Sequence, residues 1–111
     1  MAKKKKLMMD QYISGKDYRM FIVKCDDIAE VKKVVRWSRK GCIGTFCTSQ
    51  ILSEKQTFHS RMSGAKSEFY AYVGFTNDDD SMAMQLSFDM AKEVPMWPST
   101  TRFSVYVMSD D

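Results

Sequence analysis

Histidine is almost missing from this chain: His59 stands alone among 111 residues. One imidazole without marked companions builds neither a Ser-His-Asp triad nor a histidine-based metal box, so no catalytic centre is signalled. Cysteine is sparse as well, with only Cys25, Cys42 and Cys47. Three thiols cannot all pair, and no second ligand pair accompanies Cys42 and Cys47, so a zinc site is not expected and the cysteines read as small buried residues. Two prolines and five glycines give little punctuation, and none of the glycines forms a phosphate-cradling loop. No apolar run approaches the roughly 18–20 residues needed to cross a bilayer. The lysines at 3–6 precede only Leu7, Met8 and Met9 before Asp10, too short a stretch for a secretory leader. A cytoplasmic, reducing location, no membrane partner, no metal and no cofactor are therefore expected.

What the chain does contain is ordinary for a folded domain: 44% hydrophobic and 28% charged residues. A chain of this length buries a core without staples. The net charge of +3 conceals an asymmetry, since residues 1–40 hold 12 Lys/Arg against 5 Asp/Glu and residues 41–111 hold 5 against 9. A basic N-terminal portion attracts phosphate backbones or acidic protein patches. Ten methionines supply core filler and adaptable interface surface.

Residues 1–16 show no periodicity and are expected to be a basic flexible tail, leaving 17–111 as a single α+β domain. Phe21, Ile22 and Val23 mark a strand within 18–25. Asp27 and Glu30 form a capping pattern ahead of Ile28, Val31, Val34 and Val35 at helical spacing, and Arg39, Lys40 and Gly41 close that helix. Strands are expected over 42–52 and 56–62, with a turn at 63–66, and again over 102–108, where Phe103, Val105 and Val107 alternate with Arg102, Ser104 and Tyr106. Residues 78–93 carry two patterns. Alternation of Met82, Met84, Leu86, Phe88 and Met90 suits a strand in a β-meander. The absence of β-branched residues, and the run of Asp78, Asp79 and Asp80 at a favourable helix start, suit a helix, which is the reading adopted. That run lacks the spacing and glycine of a calcium loop. Of Asp26 and Asp27 at a strand end, Asp27 is explained by capping, and a metal-binding role for the pair is not expected.

The segment Glu68-Phe69-Tyr70-Ala71-Tyr72-Val73-Gly74-Phe75 sets Tyr70 and Tyr72 on one face of a strand and Ala71, Val73 and Phe75 on the other. Neighbouring open tyrosines form a surface on which unpaired bases stack. With a helix over 78–93 the element order is the β-α-β-β-α-β of ferredoxin-like sheets. Tyr70 to Phe75 then resembles the last six positions of the longer motif of the RNA recognition motif family, and Met20-Phe21-Ile22 resembles the start of its shorter motif. Glu68 and Phe69 depart from that pattern, standing where the family has a basic residue and glycine. The resemblance implies a stacking trio of Phe21, Tyr70 and Tyr72, widened by Tyr106.

These observations lead to two expectations. One is a small non-enzymatic module for single-stranded RNA or DNA. Phe21, Tyr70, Tyr72 and Tyr106 would take bases, and Lys3, Lys4, Lys5, Lys6, Arg19, Lys55, Arg61 and Lys66 would take phosphates. The other is a protein-interaction adaptor or inhibitor, of the kind viruses and phages direct at a host complex, using the same aromatic and Met-rich surfaces. Glu68 and the acidic C-terminal half favour it.

Overall fold

The computed structural model describes residues 4–13, 17–54 and 68–109. Within them the chain is α+β, with two helices and an antiparallel sheet of seven strands. The strands are β1 (Lys4–Leu7), β2 (Arg19–Cys25), β3 (Phe46–Ser49), β4 (Leu52–Glu54), β5 (Glu68–Phe75), β6 (Ala91–Glu93) and β7 (Phe103–Ser109). The helices are α1 (Ile28–Gly41) and α2 (Asp78–Ser87). The sheet order is β1-β7-β3-β5-β2-β6, and β4 also pairs with β5.

Helix α1 starts where Asp27 accepts a hydrogen bond from the Ala29 amide at 2.9 Å, satisfying one of the orphan donors of the first turn. It ends with Gly41 as its last helical residue and Cys42 as an extended cap, so Gly41 does not serve as the expected left-handed cap. Val31, Val34 and Ser38 face the sheet, and the buried Ser38 hydroxyl is satisfied by donating to the Val34 carbonyl.

Helix rather than strand holds at 78–87, because Asn77 caps the Asp79 and Asp80 amides and the acidic first turn complements the helix dipole. The helix is shorter than expected, since 91–93 adds to the sheet edge beside β2. Asp80 is buried: its two carboxylate oxygens accept from the Ile43 and Gly44 amides, each at 2.9 Å, tying the loop after α1 to α2. Met84 is the core anchor of α2, while Met82 and Leu86 point outward.

The ferredoxin-like expectation describes part of this topology. β2, α1 and β3 form a split unit with β5 between the two strands. The last strand pairs with β3 instead of β2, and the far edge of β2 is taken by β6. Residues 94–102 then run from one side of the sheet to the other, placing Val94 and Trp97 against Met20, Phe103 and Val105 on the face that the helices do not cover. The N-terminal portion also differs from a free tail. Lys4–Leu7 pairs along β7, and Gln11 bridges Phe103. The expected strand over 56–62 and turn at 63–66 lie outside the described residues.

Two cores result, one on each face. Phe21, Val23, Val31, Val34, Phe46, Val73, Phe75 and Met84 are sealed between sheet and helices. Met20, Cys47, Phe103 and Val105 are buried on the opposite face, and burial pushes the Cys47 thiol up to about 12.

Candidate nucleic-acid interface

Register decides which side chains meet, because residues directly opposite in an antiparallel pair share a face. Tyr72 stands opposite Ile22, and Tyr70 opposite Lys24 on one side and Leu52 on the other. Lys92 stands opposite Ile22 on the next strand. Tyr70, Tyr72, Ile22, Lys24, Lys92 and Leu52 therefore share the face away from the helices. Both tyrosines are half-buried. Their ring centroids lie 6.1 Å apart with the planes at 86°, so one ring turns its face to the other's edge. The pair offers one stacking face flanked by a second ring, rather than two parallel plates. Burial, and next the neighbouring Tyr70, raise the pKa of the Tyr72 hydroxyl, which remains a donor at neutral pH.

A bulge shapes one border of this surface. Thr48 is opposite Val73 and Leu52 opposite Tyr70, so Ser49, Gln50 and Ile51 stand against only Ala71 and Tyr72. The extra residue frees the Tyr72 amide from the backbone ladder, and the Ser49 hydroxyl accepts its hydrogen bond at 2.9 Å. Lys24 forms an ion pair with Glu68 at 3.5 Å, which compensates locally for the acid at the position where the resembling family carries a base.

Two members of the expected aromatic platform are elsewhere. Phe21 is opposite Val73, hence on the helix face, where it is fully buried and meets Phe75 at 6.1 Å. A base cannot reach it. Tyr106 is opposite Phe46, again on the helix face, stacked on that ring at 4.8 Å and 7°, with the Arg39 guanidinium 5.4 Å from its own centroid. The residues expected to point inward on that strand, Phe103 and Val105, are indeed buried, but under Trp97 on the tyrosine face.

Among the expected cations, Arg19 is held by Glu93: its Nε and Nη2 both contact the carboxylate, the second at 3.2 Å. That hydrogen bonding lowers the Glu93 pKa and raises that of Arg19. Lys6 is exposed on β1. Lys4 and Lys5 contribute their backbone to the same strand. Lys3, Lys55, Arg61 and Lys66, and also His59, lie outside the described residues. Lys24 and Lys92 were not anticipated at the site; register sets Lys24 opposite Tyr70, and Lys92 opposite Ile22, one strand further out.

Among the described residues no group of three or more His, Cys, Asp or Glu side chains is placed to hold a metal ion, and no helix is long and apolar enough to cross a membrane. No family model matches the chain, and no curated protein or solved structure matches it.

Proposed function

We propose that the protein is a non-enzymatic module that binds single-stranded nucleic acid in the cytoplasm, with bases on Tyr70 and Tyr72 and the backbone along Lys24 and Lys92. The observation that carries this reading is that two partly buried tyrosines share one sheet face with those two lysines, and that this is the face turned away from the helices. Each base stacked on an aromatic ring is worth about 1–3 kcal/mol. One or two such contacts with a few phosphate contacts amount to roughly micromolar affinity, about 8 kcal/mol. The local likeness to the RNA recognition motif family supports the reading through the tyrosine strand alone, since Phe21 and Tyr106 are committed to the core. Three cysteines, which cannot all pair, fit a reducing compartment.

Fluorescence anisotropy tests it, with a mixed-sequence single-stranded RNA and its DNA equivalent, at low and moderate salt. Micromolar binding that the double variant Tyr70→Ala/Tyr72→Ala loses is the expected result. Binding that survives the double variant and disappears with salt would remove the base platform and leave only charge.

A protein-interaction adaptor is the second reading, favoured by Met82 and Leu86, which are 57% and 81% exposed on the outer side of α2. It predicts a specific protein partner whose binding is lost on replacing those two residues and is indifferent to Tyr70 and Tyr72.

A further inference from the structure

Beside the tyrosine pair is a cavity of about 480 Å³, between the bulged strand and the segment that crosses the sheet; its wall includes Asp10, Ser49, Gln50, Leu52, Pro98 and Arg102. Ser49 and Leu52 belong equally to the platform: Ser49 holds the Tyr72 amide, and Leu52 stands opposite Tyr70. These two residues join the cavity to the platform, while Ser104, opposite Thr48, belongs to the other face of β7. Its volume falls within the range of small-ligand sites. Leu52 on the sheet and Pro98 on the crossing segment supply apolar wall.

Its polar groups are of opposite sign and each is positioned by a neighbour. The Arg102 guanidinium lies over the Tyr12 ring, 5.8 Å from the centroid. The Asp10 carboxylate accepts the Ser104 hydroxyl at 2.7 Å and, with about four acceptor positions, retains capacity for a ligand. A phosphate would be repelled by Asp10. An apolar group would leave both charges unsatisfied. The match is a ring that offers two acceptors to a guanidinium fork and two donors to a carboxylate. Guanine does this, with O6 and N7 on one edge and N1–H and the N2 amino group on another. Adenine lacks the paired donors, and uracil has a single N–H between two carbonyls.

We infer that this cavity takes one unstacked guanine from the bound strand, with Arg102 on O6 and N7 and Asp10 on N1 and N2. The inference builds on the proposed single-strand platform and adds sequence preference to it.

The test compares short oligouridines carrying a central guanosine, inosine or uridine. Guanosine should bind about fivefold or more tightly than uridine, in keeping with one good bidentate contact. Inosine, which lacks the N2 amino group, should fall between them. Asp10→Asn and the charge-conserving Arg102→Lys should each remove the preference while leaving the all-uridine affinity within about twofold. In parallel, guanosine 5′-monophosphate and uridine 5′-monophosphate are titrated against the protein, following the Gln50 and Thr101 amide resonances. Equal affinities for the three oligonucleotides, with no guanosine-specific amide shifts, overturn the guanine site and leave the tyrosine platform standing. Loss of all oligonucleotide binding with guanosine-specific shifts intact overturns the platform and supports the cavity. Absence of both overturns both.

Discussion

The helix side of the sheet and the tyrosine side are built from the same strands and end in different states. Toward the helices, Phe21, Val73, Phe75 and Met84 are sealed from water by the apolar stripe of α1 and by α2, which contributes Met84. Toward the other side, the described cover is a nine-residue crossing, 94–102, together with Ile13 and Tyr18. That cover buries Met20, Cys47, Phe103 and Val105, and Tyr72 packs against the same cluster while staying only partly buried. The difference teaches that the open surface is a remainder: it is the part of a two-sided sheet left after the second cover runs out, and it carries the amphipathic residues that tolerate half-exposure.

The comparison can be broken most forcefully at Phe21. Phe21→Ala should cost about 3–5 kcal/mol in a denaturant titration, whereas Tyr70→Ala should cost well under half of that. Near-equal costs would mean that the tyrosine face is as closed as the helix face. Gly74 probes the covered part of the tyrosine side, since a Cβ there would lie 2.9 Å from the Cys47 sulfur and from Met20. Gly74→Ala should destabilise by about 1–3 kcal/mol through overpacking, and a neutral result would show that the second core is loose. A comparable loss, about 1–3 kcal/mol, is expected for Asp80→Asn, because one amide oxygen cannot replace two carboxylate oxygens on the Ile43 and Gly44 amides. Unchanged thermal unfolding of that variant would contradict the clamp.

The smallest effect is expected at the edge of the helix side, at Arg19 and Glu93. The Arg19 hydrogen bond holds the Glu93 carboxyl below the usual range, so the native state binds its proton less readily than the unfolded chain. Its contribution is present above the unfolded value of about 4.3 and is lost as pH falls through the lower folded value. Both groups are largely exposed, and the gain is screened. The gap in Tm between wild type and Glu93→Gln should be small above about pH 5 and should close in acid. A gap that does not vary with pH would show that the ion pair adds nothing.

Much of the fold was legible. The Asp27 cap and the spacing of Val31 and Val34 marked α1, and the alternation in 68–75 and 102–108 marked β5 and β7. At 78–87 helix propensity and the acidic first turn outweighed the every-second-residue apolar pattern, because capping and backbone hydrogen bonding act locally while the alternation required a partner strand. The site was less legible. Tyr70 and Tyr72 were found because two neighbours on one strand share a face whatever the sheet does. Phe21 and Tyr106 were misplaced because the face of a residue on a different strand depends on register, and a shift of one residue reverses it. Lys24, Ser49 and Leu52, which adjoin the tyrosines, and Lys92, one strand beyond, carried no signal of their own, being distant from Tyr70 and Tyr72 in sequence.

The amino-acid sequence by itself determined the class of the protein, its helix starts, its principal strands and the paired tyrosines, since these follow from propensity, capping and the two-residue period of a strand. Only the tertiary structure decided which aromatic rings face outward, that the last strand crosses to β3, and that a bulge and a crossing segment enclose a polar cavity beside the tyrosines. Those outcomes depend on pairing between segments far apart in the chain, and the alternation within any one of them is equally compatible with either face.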